Sequence, residues 1–509
     1  MKKQSLLHGA LILMLAGFIN RLLGFVLRVI LVRIVGDEGL GLFQMIYPFF
    51  MTLLLISTAG FPISISKLIP EHLSKDDVYS PVKLLKITLI TVTILGSTMA
   101  LLLNLSAGYI STHIFSDPRT HLLFIAISPA LIISPLAASF RGFFQGFNTM
   151  VPTAISQITE QICRLSATLI IINMLTHLQL KYQAAGLALG ISVGELAGLI
   201  ILFILYIYHI QNYTVTKNRD YNYYRDLKKI SKLALPITMG RLIHSLMSSA
   251  EAILIPRQLE FSGNTVQEAT SLYGQLSGMV EQVIFLPTVI TIALTISLIP
   301  NISEANANKN YKKIKKNYKD ILRISAYLGF PVSIIFINRG KEICHILFGY
   351  PEAGILLSQL AISAAFIYYL QVSSGMLNGL GHPGLAVRNL AVGSVIKLIL
   401  IYFLVQKADI NMKGAIIGLA TGYILAALLN FISIKKLTKF KYNYLQIFIK
   451  PLFASIIIYF IDPYLNLDYL KLPYTIKVLT IIFVSIIIYL IIMILITAIK
   501  TEDIERFKS

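Results

Sequence analysis

The sequence holds 509 residues, 56% of them hydrophobic and 13% charged, with 44 Lys and Arg against 24 Asp and Glu for a formal net charge of +20. With a mean hydropathy of +0.74, the chain has too little polar surface to face water, which excludes a soluble globular enzyme and makes lipid its solvent. Cys163 and Cys344 have no CxxC partner and no histidine cluster beside them, so neither a disulfide framework nor a metal site is indicated, and no cofactor is expected.

A helix crosses the hydrocarbon with roughly 20 apolar residues, and runs of that length recur from Leu6 almost to Lys500. The first follows Lys2 and Lys3 as in a signal peptide, but it continues through Arg21 and Arg28 to Val35 without a small-residue cleavage site and reads as a retained helix. Breaking the chain at charged and Gly/Pro-rich interruptions predicts helices over 6–35, 41–69, 82–111, 120–145, 152–176, 183–209, 230–255, 273–299, 318–338, 353–379, 385–406, 413–434, 446–462 and 474–499. The fold class is therefore an all-α polytopic membrane protein of about fourteen transmembrane helices. An even count places both termini on one side. Most Lys and Arg fall in loops on the side of the N-terminus, which makes that side cytoplasmic and the location the bacterial cytoplasmic membrane.

Three of those loops, Lys217 to Lys232, Lys309 to Arg323 and Lys435 to Lys450, carry most of the net charge. Each is wedged between hydrophobic helices with no nucleic-acid-binding fold, so anionic membrane lipids are the expected partner and nucleic acid is not.

A faint internal repeat runs through the chain. Leu68-Ile69-Pro70 and Leu298-Ile299-Pro300 end the second and eighth helices, 230 residues apart, and Gln145-Gly146 and Asn378-Gly379 end the fourth and tenth, 233 apart. Arg164 and Lys397 follow 19 residues after Gln145 and Asn378. This predicts two pseudo-symmetric six-helix lobes plus two C-terminal helices: residues 1–212 as the N-lobe, 213–229 as a basic cytoplasmic loop, 230–437 as the C-lobe, and 438–509 as the last two helices and a cytoplasmic tail. Six helices per unit give both lobes the same polarity.

Charges at bilayer depth cost about 2.5–3.5 kcal/mol each and mark the bundle interior or a watery cavity. Gly17, Arg21, Gly24 and Arg28 are spaced 4, 3 and 4, one helical face with two guanidinium groups beside small residues. No carboxylate precedes Asp37 on this helix, so the pair suits an anionic ligand such as a phosphate, with pairing to a carboxylate of another helix as the other reading. The seventh helix carries Arg241, His244, Ser248 and Glu251 at spacings 3, 4 and 3. Arg241 is a candidate substrate contact and His244 a candidate proton-coupling group, or a hydrogen-bonded packing residue. Gln157, Glu160, Gln161 and Arg164 line one stripe of the fifth helix, where Glu160 and Arg164 at i and i+4 either pair structurally or face sugar hydroxyls. Lys397 is a further cavity candidate, and Glu195, Glu251 and Glu281 could bind a coupling cation. Pro62 and Pro287 should bend the second and eighth helices and serve as hinges.

Catalytic signatures are missing. Gly340-Lys341 is followed by Glu342 and lacks the phosphate-loop pattern, and no HExxH, DxxD or GxSxG occurs, so an enzyme is not indicated.

The runs Asn20-Arg21-Leu22-Leu23-Gly24-Phe25, Arg141-Gly142-Phe143-Phe144-Gln145-Gly146 with Pro152-Thr153 and the Glu160/Arg164 stripe, and Leu235-Pro236-Ile237-Thr238 leading to Arg241 resemble the sporulation-associated polysaccharide-biosynthesis proteins of the multidrug/oligosaccharidyl-lipid/polysaccharide (MOP) exporter superfamily. The similarity spans nearly the whole chain. It implies a two-lobed transporter that flips a lipid-linked cell-wall precursor, lipid II or a polyprenyl-diphosphate oligosaccharide, for spore cortex peptidoglycan, with cell-wall synthases as further partners. The related lipid II flippases use cavity arginines against the diphosphate. Arg21 matches the first and Arg28 the second with a one-residue shift, whereas their eighth-helix arginine falls near Glu281 and Gln282 here. A cation-coupled multidrug exporter of the same superfamily, an enzyme of cell-wall synthesis and a non-transporting scaffold are the alternatives.

Overall fold

Apolar runs that cannot leave backbone groups unpaired in lipid form helices, and the computed structural model contains no strand among the residues it describes, 6–74, 79–211, 223–440, 443–465 and 472–498. Lys2, Lys3, Lys500, the Lys217 end of the first basic loop and the tail from 499 lie outside the described residues.

α1 (Leu6–Thr58) illustrates how the chain is cut to membrane length. Its 53 residues would extend about 80 Å as one rod, well beyond a hydrocarbon core of about 30 Å. Gly36 interrupts it at φ 72° and ψ −176°, a conformation only glycine adopts without strain. Arg28 and Tyr47 line one cavity although 19 residues apart, so the chain doubles back at Gly36 and the two limbs lie side by side. A second interruption at Ala59 (φ 44°) and Gly60 (φ 70°) separates off α2 (Phe61–Leu73). Pro62 therefore sits in the first turn of α2, where its missing N–H is harmless, and does not bend a continuous helix over 41–69 as expected from the sequence.

α3 (Tyr79–Tyr109), α4 (Thr120–Ile127), α5 (Ala130–Gly146), α6 (Val151–Leu175), α7 (Leu180–Ile210) and α8 (Tyr223–Phe261) follow. Then come α9 (Val266–Tyr273), a widened π-type turn at Gly274–Val280, α10 (Glu281–Phe285) and α11 (Thr288–Ala307). The predicted helix over 273–299 is thus three pieces, with Pro287 at the break before α11. α12 (Tyr311–Phe348) is kinked at Arg339. α13 (Pro351–Leu360), α14 (Ala364–Gly379), α15 (Pro383–Val405), α16 (Met412–Thr438), α17 (Lys450–Ile461) and α18 (Tyr474–Leu495) complete the chain. Twelve helices among the described residues are long and apolar enough to span a membrane. The first of these counts both limbs around Gly36 together with α2, and the more polar α8 is not among the twelve, so the total approximates the fourteen segments read from the sequence.

By packing, residues 1–260 and 264–274 form one unit and residues 261–263 and 275–509 another. The first includes α8, which joins it through Lys83–Asp226 (2.7 Å) and through Thr52 Oγ1, 2.8 Å from the hydroxyls of both Ser245 and Ser249. Its apolar core gathers Phe140, Phe143, Phe144 and Phe147 of α5 and the turn after it around Ile65 and Ile69 of α2. At the Gly36 end, Arg119 donates to Glu38 (2.5 Å) and Asp117 (2.7 Å), and Ser271 donates to Asp37. These carboxylates, Asp117 first, raise the Arg119 pKa above its ordinary value and keep it charged.

Two close helix contacts of the first unit recur in the second. A Cβ built on Gly146 would lie 2.7 Å from Ile69 Cβ, and one on Gly379 2.8 Å from Ile302 Cβ, which relates the pairs at an offset of 233 (379 − 146). In the next helix pair a Cβ on Gly194 would meet Arg164 Cβ at 2.7 Å and one on Gly422 would meet Lys397 Cβ at 2.8 Å. Lys397 is again 233 beyond Arg164, while Gly422 is 228 beyond Gly194 (422 − 194), so five residues are lost between the paired helices. Ile69 therefore corresponds to Ile302, and the Leu-Ile-Pro likeness lies nearly one turn out of register. The two proline interruptions are not equivalent either, since Gly142 packs on Pro62 but Gly375 packs on Thr295, eight residues after Pro287.

The C-terminal hairpin is clamped within the second unit. Arg339, at the α12 kink, donates from Nε to Asp462 Oδ2 (2.7 Å) and from Nη2 to the Asp462 carbonyl (2.5 Å), and Ser485 of α18 donates to Asp462 Oδ1 (2.5 Å).

Candidate functional site: an arginine-rich cavity in the first unit

α6 and α7 approach closely because Gly186, Gly190, Gly194 and Gly198, spaced by four, present a side-chain-free ridge to α6. Close packing brings charges on neighbouring helices within reach. Glu160 of α6 is gripped from both sides: Arg141 Nη2 of α5 donates to Oε2 (2.6 Å) and Arg164 Nη2 to Oε1 (2.6 Å). Glu195 of α7 lies 3.7 Å from Arg164 and 4.0 Å from Arg141, and Arg141 Nε also donates to Ser156 (3.2 Å). All four charged side chains are at most 21% exposed. A buried network of two guanidinium groups and two carboxylates is neutral overall and holds three helices in fixed register.

One side of Arg164 is not used by this network. Its Nε is buried with no hydrogen-bond partner among the described residues, and the side chain helps line a cavity of about 110 Å³ together with Arg28, Tyr47, Gln161 and Thr168. Arg28 adds a second guanidinium group to the cavity wall beside Arg164. Further along the same face of α1, Arg21 is exposed and forms no hydrogen bond or ion pair among the described residues. The structure thus joins Arg28, Gln161 and Arg164 in one cavity and Glu160, Arg164 and Glu195 in one ion network. Chemically, the arrangement suits an anion of modest size, held by planar guanidinium forks in a low-dielectric wall.

Other candidates lie apart from this cluster. Gln157 is half-buried on α6 beside the network without a hydrogen bond in it. Arg241 and His244 of α8 are exposed, and Arg241 makes no ion pair among the described residues, whereas Glu251 is buried at 9% exposure. Lys397 and Glu281 belong to the second unit. Lys397 is 7% exposed and its Nζ lies 5.7 Å from the Tyr423 ring centre, at the position equivalent to Arg164. No group of three or more His, Cys, Asp or Glu suited to a metal occurs among the described residues.

Arg141 is a member of the ion network that helical spacing alone does not single out. It stands in the Arg-Gly-Phe-Phe-Gln-Gly run, four other members of which have clear places: Phe143 and Phe144 in the core, Gly142 against Pro62 and Gly146 against Ile69. The available signal was its separation of 19 from Glu160, which no helical period connects. The four-residue glycine spacing on α7 was likewise readable.

A family model described as polysaccharide biosynthesis protein matches residues 6–306. Stage V sporulation protein B of Bacillus subtilis (strain 168) is 29% identical over 441 residues, covering 86% of this chain and 85% of that protein. Lipid II flippase MurJ of the same organism is 28% identical over 474 residues, covering 87% and 84%. Among solved structures, a lipid II flippase MurJ in an inward closed conformation superposes with a TM-score of 0.72 at 14% identity, covering 94% of this chain and 97% of that one, a likeness of fold. With the helical fold and its apolar spans, these matches place the chain in the polysaccharide biosynthesis protein family, as a multi-pass membrane protein.

Proposed function

We propose that this protein flips a lipid-linked cell-wall saccharide, lipid II or a related polyprenyl-diphosphate oligosaccharide, across the cytoplasmic membrane, and that it serves spore cortex peptidoglycan. The observation that carries the reading is the guanidinium stripe on α1, with Arg21 exposed and free of protein carboxylates and Arg28 lining a cavity with Arg164. A cationic drug would be repelled by that surface, whereas a diphosphate is matched to it. In this scheme the headgroup enters from the cytoplasm, is held by Arg21 and Arg28 with Arg241 as a further contact, and leaves outward while the polyprenyl tail stays in lipid. The Arg141–Glu160–Arg164–Glu195 network positions the cavity wall. Residues 230–437 act as the second lobe of the repeat.

Outward movement of an anion is favoured by a potential negative inside, by roughly 2.3 kcal/mol per charge per 100 mV. A diphosphate with about two charges then gains roughly 4.6 kcal/mol per 100 mV, enough for transport without a coupling ion. The test is translocation of fluorescent lipid II in proteoliposomes at matched protein levels, with and without an imposed potential. Flipping that is lost in Arg21→Ala and Arg28→Ala and accelerated by the potential is expected. Flipping equal in wild type and variants removes the arginine site, and flipping indifferent to the potential removes the energetic scheme.

A further inference from the structure

The second unit contains a cavity that the transport reading does not use. It opens between α12, α14, α16 and the segment leading into α17, has a volume of about 470 Å³, and is walled by Phe330, Phe366, Phe431, Phe448 and Leu452. At its edge stand Lys435, in the last turn of α16, and Tyr444, whose ring packs 5.9 Å from that of Phe431. Lys435 is exposed and makes no ion pair among the described residues. Lys436 and Lys439 continue the basic run beside it, and the basic stretch Lys309 to Arg323, read as a loop from the sequence, is almost entirely the first part of α12, the helix that supplies Leu322 and Ser325 to the wall. The Ser325 hydroxyl is buried there with no hydrogen-bond partner among the described residues.

We propose that this cavity holds one acyl chain of an anionic glycerophospholipid, with its phosphate against Lys435 and its chain among the phenylalanines. Three observations select that occupant. The wall is hydrocarbon-like, built of Phe330, Phe366, Phe431, Phe448 and Leu452, as suits a lipid chain. Its volume accommodates on the order of sixteen methylene groups if each occupies about the ~30 Å³ of a liquid water, the length of one fatty acyl chain and far short of a polyprenyl carrier. The cation at the mouth sits in a lysine-rich edge, where anionic headgroups are concentrated and where a lysine stem lies along apolar surface with its ammonium at the headgroup level. The site is independent of cargo recognition, which involves residues of the first unit, so its test does not depend on transport.

Native mass spectrometry of the purified, delipidated chain titrated with palmitoyl-oleoyl phosphatidylglycerol or phosphatidylcholine provides that test. The expected result is one tightly retained phosphatidylglycerol per chain, held at least fivefold better than phosphatidylcholine. Lys435→Glu should abolish that preference, and Leu428→Trp, which fills the cavity from an exposed wall position, should reduce retention of both lipids at least fivefold. Leu452→Trp offers a second exposed filling variant if Leu428→Trp lowers the thermal midpoint. Equal retention of the two lipids, an unaltered preference in Lys435→Glu, or full retention in the filling variants would overturn the proposal. Displacement of phosphatidylglycerol by equimolar polyprenyl phosphate would also overturn it, by assigning the cavity to a polyprenyl chain.

Discussion

Replacing Glu160 by glutamine keeps the shape of the side chain and removes the charge that two arginines share. Each guanidinium lies 2.6 Å from a different Glu160 oxygen, so one substitution weakens two ion pairs together. Charges about 4 Å apart attract by about 4 kcal/mol at an effective dielectric near 20, a gross loss of about 8 kcal/mol for the two pairs, most of which the desolvation of all three groups had already offset. Removing one partner of a buried pair costs about 3–5 kcal/mol net, and because these side chains keep 12–21% exposure the lower end, about 3 kcal/mol, is expected. That is roughly a hundredfold in the unfolding equilibrium. Reversible unfolding in mixed micelles, followed by far-ultraviolet circular dichroism, measures it. A double-mutant cycle with Arg141→Gln should return a coupling of about 1–3 kcal/mol, because the two changes remove the same contact. A loss below about 1 kcal/mol in Glu160→Gln, or a coupling indistinguishable from zero, would refute the network as a structural unit.

Gly194→Val should destabilise by about 1–3 kcal/mol in the same assay, since its Cβ would sit 2.7 Å from Arg164 Cβ and 2.8 Å from the Glu160 carbonyl oxygen; a change under about 0.5 kcal/mol would count against the glycine ridge. Asp462→Asn should cost about 3 kcal/mol and speed hydrogen exchange in α17 and α18 while leaving α5 to α7 protected, because it strips the nearer of the two carboxylate partners of Arg339 and leaves only Glu342 at 3.4 Å. At the start of α9, hydrogen bonds from the Thr265 N–H and hydroxyl hold the Glu268 carboxyl below its ordinary 4.5. Its stabilisation is therefore complete above about pH 4.5 and fades as pH falls through the lowered value, so protection factors of the α9 amides, corrected for intrinsic exchange, should fall across that window in wild type and stay flat in Glu268→Gln.

The membrane class and the helices were legible because twenty-residue apolar runs admit few other structures in lipid. The segment around Gly36 read as a loop between two helices, and its one-residue character was hidden because polar Asp37 and Glu38 resemble loop composition while being satisfied by Ser271 and Arg119 from distant segments. Glu160 and Arg164 were readable as a pair because helical spacing is local. Arg141 and Glu195 joined them only through packing that glycine spacing makes close, which no single-helix pattern reveals. Pro287 stands at the break before α11, whereas Pro62 begins α2 after a glycine break and bends no continuous helix.

The reversal at Gly36 also acts as a depth gauge. A single residue joins the two limbs of α1, so neither can slide along the membrane normal without carrying the other. At 1.5 Å per residue, Arg28 lies about 12 Å and Arg21 about 22 Å along the helix from the turn, within a hydrocarbon core of about 30 Å. Lengthening the connection by even two or three residues would free that register and let the guanidinium groups drift toward a headgroup region, where water would satisfy them and an anion would gain nothing by binding.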